Sequence, residues 1–399
     1  MLFLGGKHMP WRNTTIMDEK YFFINEYIAH KHTITELCKQ FGISRTLGYK
    51  YIERFNQKGF KGLEELSRKP LSSPTKTPAR IARDIITIRN KHPRYGADKI
   101  KTILERDKPN IQWPSQTTIH TILKTEGLIP ERKTNRHIYP CNPKFDPKEI
   151  NDMWGIDYKG KMPLINAVYS YPLTITDSYS RFILAADALA SPTTEATKAV
   201  FVRVFKDFGL PTYIHSDNGV PFAGSTSLAR LSSLSVWFIE LGITPVYSDP
   251  AKPGQNGRHE RMHKELKAET ASPLPRSHNE LQKRLDAFIK EYNEYRPHQA
   301  LNNNTPASIY KRSERVFPQS IEPWDYPGTF EVKRVLKNGA IRWGNHNWVM
   351  VATPLIGKDI GLEEISDGLY RVYFRFKLLG YLDARRRRIQ DIQGRLKRQ

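Results

Sequence analysis

The sequence predicts a multidomain α/β protein: a mixed sheet with flanking helices, preceded by two helix-turn-helix units and followed by a small β-barrel. Three observations predict it. At 399 residues the chain exceeds what one hydrophobic core usually serves. Apolar residues recur at helical spacing up to about residue 130, strands and helices alternate from about 151, and short apolar runs between hairpin dipeptides fill the C-terminal part. Two segments rich in Pro with Ser or basic residues, 67–78 and 131–148, fall between these textures as linkers.

Taken in order, residues 1–16 form an N-terminal extension and 17–66 the first helical unit. Tyr21, Ile24, Tyr27 and Ile28 recur at helical spacing, Ile34, Leu37 and Cys38 repeat it, Phe41-Gly42-Ile43 makes a turn, and Ser44 can cap a third helix through Phe55. That helix would present Arg45, Thr46, Lys50 and Arg54 away from the apolar Leu47, Tyr51 and Phe55, which suits a DNA major groove. A small helical bundle with a solvated face would show the same pattern. In 79–130, Ile81, Ile85 and Ile88 mark one helix, Ile100, Ile103 and Leu104 another, and Ser115 caps a third that Gly127 stops. Its open face carries Gln116, Thr117 and His120, so this reads as a second, winged helix-turn-helix domain; two in tandem lengthen the DNA site one protein reads.

Residues 149–315 are the α/β part. NDMWGIDYKG and the stretch Tyr169 to Leu189 read as strands, TTEATKAVFVRVFKDFG as a helix, PTYIHSDNG as a strand with its loop, LARLSSLSVWFIELG as a helix, ITPVYS as a strand, and NGRHERMHKELKAE as a helix. A further helix runs from Glu280 to Tyr295, before the polar loop RPHQALNNNTP. In 329–384, Asn338-Gly339, Gly344-Asn345 and Asp367-Gly368 are hairpin signals, which predict the barrel. The run 385–399, with Arg385, Arg386, Arg387 and Arg388, reads as a flexible basic tail, because its like charges repel unless neutralised.

A net charge of +22 points to a polyanionic partner, with DNA or RNA leading, since phosphate neutralisation by Lys and Arg is the usual source of nucleic-acid affinity. Only two cysteines, Cys38 and Cys141, are present, which excludes a disulfide framework and a cysteine-rich zinc site and fits a reducing cytoplasm. No run approaches the roughly 18 apolar residues of a membrane span, so a soluble protein is expected.

Three acidic residues carry most of the chemistry: Asp157 in DMWGIDYKG, Asp217 in IHSDNGVPF and Glu260 in KPGQNGRHERMHKELK. Strand alternation puts Met153, Gly155, Asp157 and Lys159 on one face, so Asp157 sits mid-strand, where Asp is disfavoured. Asp217 projects where a strand becomes a loop, a habitual ligand position in open α/β sheets. Glu260 opens a helix whose same face bears His263, Lys264 and Lys267, with Arg258 and Arg261 close by; DNA backbone crossing the helix accounts for those basic groups. Three carboxylates about 4 Å apart repel by roughly 1 kcal/mol per pair in water and about 4 kcal/mol at an effective dielectric of 20. Two Mg²⁺ (or Mn²⁺) ions offset that repulsion and can cut and join phosphodiesters. Two of the acids also have a plainer reading, Asp217 as the first residue of an Asp-Asn-Gly turn and Glu260 as a solvated partner of Lys264, while Asp157 is the hardest to explain that way. Asp177 and Asp187 are rival carboxylates, Asp177 fitting a hairpin turn, and the scattered His215, His259 and His263 make a weak zinc proposal.

Together, WGIDYKG, HSDNGVPF, GQNGRHERMHKELK and YNEYRPHQALNNNTPASIY resemble the catalytic core of bacterial insertion-sequence transposases of the Asp-Asp-Glu class, relatives of retroviral integrases. The likeness extends upstream to MPWRNTTIMDEK, TELCKQFGISRTLGYKYIERF, HPRYGADKI and WPSQTTIHTILKTEGLI, and downstream to ISDGLYRVYF and LLGYLD. It implies a ribonuclease H-like fold, Asp157, Asp217 and Glu260 as the metal-binding and catalytic triad, and helical units that read terminal inverted repeats. It further implies an SH3-like barrel that holds DNA, a homo-oligomer on double-stranded DNA, and a nucleoid-associated location. Two departures stand out. The gap from Asp217 to Glu260 is 43 positions, longer than in many integrases, the excess falling in AGSTSLARLSSLSV. The His/Cys zinc module that opens retroviral integrases is absent. Family-like sequence begins at Met9, so Met1 to His8 is expected to be an upstream extension without a role.

Three functions therefore compete: an active transposase that cleaves element ends and joins them to target DNA, a DNA-binding regulator that has lost catalysis, and a structure-specific nuclease of the same fold.

Overall fold

A computed structural model describes residues 15–65, 76–130, 146–224, 227–249, 255, 257–344 and 347–392. The expected idle extension Met1 to His8, Cys141, most of both linkers, Pro253-Gly254 and the end of the tail lie outside these residues. The chain divides into two compact units, Met1–Thr77 and Pro78–Gln399.

In the first unit, helices α1 (Ile16–Ile28), α2 (Ile34–Gln40) and α3 (Arg45–Lys58) begin at Thr15, Thr33 and Ser44, whose hydroxyls accept from backbone N–H groups three residues on. Asp18 and Glu36 close reciprocal capping boxes on the first two. Phe23, Ile24, Leu37, Cys38, Ile52 and Leu63 form the core. Gly48 lets α3 cross α2: a Cβ there would lie 2.5 Å from the Cys38 sulfur.

The second unit opens with α4 (Ala79–Lys91), α5 (Ala97–Asp107) and α6 (Gln116–Thr125), closed around Ile85, Tyr95, Ile100, Trp113, Ile119 and Leu123. No strand occurs among the described residues 76–130, and a wing following α6 would fall on 131–145, outside them. The central sheet consists of β1 (Met153–Tyr158), β2 (Met162–Pro163), β3 (Tyr169–Asp177), β4 (Ile183–Leu189), β5 (Tyr213–Ser216) and β6 (Thr244–Tyr247). β3 runs antiparallel to β1, β2 and β4, while β5 is parallel to both β1 and β6. The crossovers are α7 (Thr194–Phe208) and α8 (Ser233–Glu240), whose Phe201, Phe205 and Phe238 pack with Trp154 and Ile156. Helices α9 (Gly257–Thr270) and α10 (His278–Lys290) cover Ile183 and Ala186 with Met262, Leu266, Leu281 and Leu285. One wider turn, Glu291–Tyr295, continues α10 toward the short α11 (Pro306–Ile309).

The C-terminal part is all β, but it departs from the expected barrel: among the described residues its strands do not pair into a closed ring. A five-stranded antiparallel sheet joins β7 (Glu331–Arg334), β10 (Asp359–Ser366), β11 (Leu369–Phe374), β12 (Lys377–Asp383) and β13 (Arg388–Asp391), and the hairpin of β8 (Ala340–Trp343) with β9 (Asn347–Met350) stands apart. Ile341 and Val349 of the hairpin fill the core beneath the sheet, so packing closes the unit where backbone pairing does not. Leu228, Leu231, Val236 and Ile239 enter this same core. Part of the extra sequence between Asp217 and Glu260 is thus the platform on which the C-terminal sheet rests. Up to residue 392, where the described residues end, the expected flexible tail is corrected as well. Arg388–Asp391 pairs with β12, Asp367 and Asp383 pair with Arg385 and Arg386, and the Arg387 guanidinium donates to Asn347; neutralisation removes the repulsion that predicted disorder.

Candidate active site

Asp157 is the fifth residue of β1, opposite Thr174 of β3. Its face of the strand turns toward α9 while Trp154 and Ile156 enter the core on the other side, as alternation requires. Asp217 is exposed just beyond β5, and its Oδ1 accepts the Gly219 N–H at 3.0 Å, so it does begin a turn. A Cβ on Gly219 would come within 3.1 Å of that carboxylate. Asn218 ties the loop down, donating to the Ser248 carbonyl at 2.7 Å. Glu260 is exposed in the first turn of α9.

A cavity of about 370 Å³ is lined by Asp157, Tyr158, Lys159, Glu260, His263, Lys264 and Lys267. Within it the Asp157 carboxyl is pushed up to about 7, first by burial and then by the negative charge of Asp217, with Glu260 adding a smaller push and Lys159 opposing them. Asp217 and Glu260 therefore both act on Asp157. Among the described residues, however, no group of three or more His, Cys, Asp or Glu stands close enough together to hold a metal ion. The hard oxygen donors fit a divalent cation, which would relieve that field; their present spacing does not make a finished cage.

Thr174 is a residue that motif reading missed. Its hydroxyl donates to the Asp157 carbonyl at 3.1 Å and lies 2.6 Å from Nε2 of both His259 and His263. A hydroxyl has one proton to give and two lone pairs, so both imidazoles donate from Nε2. Nδ1 of His259 then accepts from Thr176 at 3.3 Å, and Nδ1 of His263 faces Asp157 Oδ2 at 3.6 Å. Burial holds both rings neutral, His259 at about 3 and His263 at about 2, so the His263–Asp157 approach is not an ion pair. The signal in the sequence was the alternation of Thr174 and Thr176 on an otherwise apolar strand.

This geometry alters some expectations. His263 shares the cavity wall with Lys264 and Lys267, but it is buried there with its Nε2 committed to Thr174 rather than presented to a phosphate, and the three histidines gather no metal site among the described residues. Lys264, Lys267 and Arg261 are exposed on α9, while Arg258 is ion-paired to Asp146 at 2.8 Å. Asp177 is a turn residue: its carboxylate accepts from the backbone of Asn151 and Ser180 at 2.9 and 2.7 Å. Asp187 is paired with Arg203 at 2.6 Å. Of the expected groove-facing residues, Arg45, Thr46, Lys50, Gln116, Thr117 and His120 are exposed and Arg54 is half-buried beneath Gly62. Arg385 to Arg388 are exposed.

Comparison with known proteins adds the family. Models of the integrase core domain match residues 147–253 and 241–306, a helix-turn-helix domain model matches 19–70, and a homeodomain-like domain model matches 48–123. The insertion element IS136 uncharacterized protein of Agrobacterium fabrum is 30% identical over 142 residues, which cover 34% of this chain and 71% of that protein. The Gag-Pol polyprotein of feline leukemia virus is 25% identical over 204 residues, 49% of this chain but 11% of the polyprotein, so the chain spans about a tenth of that relative. The HTLV-2 integrase catalytic core domain, solved in complex with magnesium, aligns with a TM-score of 0.33 at 15% identity over 42% of this chain and all of that one.

Proposed function

The chain belongs to the insertion-element proteins that join helix-turn-helix domains to an integrase core domain, and from that footing we propose that it is a DNA transposase of the Asp-Asp-Glu class. It binds the terminal inverted repeats of its element as a homo-oligomer, frees their 3′ ends and joins these to target DNA. The observation that carries this reading is the push of Asp217 and Glu260 on the Asp157 carboxyl, beside a cavity that Asp157 and Glu260 line with Lys159, Lys264 and Lys267.

In this reading Asp157, Asp217 and Glu260 hold the cations. Two Mg²⁺ (or Mn²⁺) ions bound there would supply Lewis acidity to the attacking oxygen and stabilise the leaving one. The chain's own residues do the positioning. β1 fixes Asp157 in the sheet, the Thr174–His259–His263 cluster braces the strand behind it against α9, and Gly219 and Asn218 fix the Asp217 loop. Lys159, Lys264 and Lys267 neutralise DNA phosphates so that the backbone lies across the carboxylates. The exposed faces of α3 and α6 read the element ends.

Incubating full-length protein with a labelled end duplex, target DNA and Mg²⁺ separates the competing readings. Joined products are expected. Cleavage without joining would favour a nuclease, and binding alone a regulator.

A further inference from the structure

A second, smaller cavity of about 40 Å³ lies one step back along the Asp157 face of β1, with His259 on its wall. It has room for about three water-sized groups, the scale of the oxygens that a phosphate presents to one side. Gly155 floors it: a Cβ there would meet His259 Nδ1 at 3.1 Å and Thr176 Oγ1 at 3.4 Å. A glycine inside a buried strand is costly and marks a place of close approach.

The lining is cationic. Arg181, held at φ +66 in the turn after β3, and Arg258, from the first turn of α9, both line the cavity. Arg181 is half-buried, and its Nη1 is shielded from solvent without a hydrogen-bond partner. Burial and the positive charge of Arg258 are the two largest influences opposing the Arg181 charge. Asp177 also borders the cavity, but its carboxylate is already occupied by the Asn151 N–H and by the Ser180 N–H and hydroxyl. Arg258 spends one nitrogen on Asp146 and reaches the Ser178 carbonyl only at 3.5 Å. Two guanidinium groups that line one small opening and oppose each other's charge, one with a buried donor to spare, are stabilised by an anion between them.

We propose that the cavity lined by Arg181 and Arg258 is a binding subsite for a phosphate-type oxyanion, filled by a DNA phosphodiester next to the bond that reacts at Asp157. The DNA as occupant rests on the transposase reading; the anion site itself does not. Arg181 supplies a bidentate-capable fork and Arg258 the second charge, while Gly155 makes room for the His259 ring that walls the cavity.

Two measurements on the full chain test this. In the first, thermal unfolding is followed in inorganic phosphate against chloride at equal ionic strength, for wild type, Arg181→Gln and Arg181→Lys. Phosphate is expected to raise the wild-type midpoint, the rise to vanish in Arg181→Gln and to survive in part in Arg181→Lys. In the second, affinity for an end duplex is measured against salt, and the slope of log K on log salt is expected to shrink by about 0.9 in Arg181→Gln. Loss of the phosphate effect with an unchanged DNA slope would keep the anion site and overturn DNA as its occupant. A phosphate effect as large in Arg181→Gln as in wild type overturns the subsite. Should Arg181→Gln fail to fold, Arg258→Gln must lose the same phosphate effect, or the proposal falls. Neither readout requires joining activity, so a failure here is distinct from a failure of the transposase reading.

Discussion

Thr174 shows what a single hydroxyl can organise. It serves both His259 and His263, so Thr174→Val strands two buried donors, and each unmade hydrogen bond costs about 1–3 kcal/mol. Because Thr174 lines neither cavity and supports the strand behind Asp157, joining by Thr174→Val is expected to fall about 10- to 100-fold with end affinity unchanged, measured by single-turnover joining and by gel shift. A weakened end affinity would count against the assignment. Buried histidine also gives a pH signature. His298 is pushed down to about 3, chiefly by burial and then by Lys99 and Arg296. The unfolded chain takes up that proton as pH falls through 6.5 while the folded chain refuses it, so stability drains away from pH 6.5 toward 3. Asp157 works the other way: its folded carboxyl protonates near 7, so it adds stability as pH falls from 7 toward 3.8. His298→Gln is therefore expected to reduce the loss of stability between pH 6.5 and 4 by one histidine's share, the buried His259 and His263 keeping theirs, read from urea midpoints. At this scale the three acids stood out in the sequence because Asp is out of place mid-strand and because the motifs are specific. Thr174 and Arg181 did not, since their roles come from neighbours 85 to 89 and 77 positions away.

Helix α9 connects more than its motif suggested. Five and nine residues beyond Glu260 it carries Glu265 and Glu269, both ion-paired to Arg296 of the RPHQAL loop, which is only 2% exposed. Arg296 lies over the rings of Tyr95 and Tyr292 at 5.3 and 5.7 Å, and Tyr95 donates to Glu291 at 2.8 Å, so the second helical unit and the helix of Glu260 share one buried network. Arg296→Met would leave two carboxylates without their partner, a loss of about 3–5 kcal/mol that urea unfolding would detect. A change within a few tenths would show the network to be incidental. Elements of this kind were legible as helices from apolar spacing and caps, and Ser44, Ser115 and Gly127 stand where the sequence reading put them. The network was not legible, because it joins α4–α6 to a loop nearly two hundred residues later. The hairpin signals predicted the strands of the all-β C-terminal part but not how their edges pair, and the described strands of the expected small barrel form no closed ring.

For the whole molecule, a net charge of +22 implies that affinity for end DNA falls steeply with salt, and a flat response would remove the electrostatic basis of the account. No helix among the described residues is long and apolar enough to cross a membrane. The order of textures along the sequence, helical then mixed then all β, survives in the fold because each segment buries its own apolar pattern. What could not be read in advance is the sharing of cores, in which Leu231 and Ile239 support the C-terminal sheet and make the long Asp217–Glu260 gap structural. Leu231→Ala is expected to cost about 2–5 kcal/mol, visible as a lowered unfolding midpoint, although the residue is remote from chemistry in sequence. The central claim is that Asp157, Asp217 and Glu260 form one metal-dependent site. It is tested most directly by measuring Mg²⁺-dependent strand transfer in Asp157→Asn, Asp217→Asn and Glu260→Gln at matched end occupancy. Loss of a ligand worth several kcal/mol predicts a fall of about a thousandfold or more in each; joining near the wild-type rate in any one of them would contradict the account.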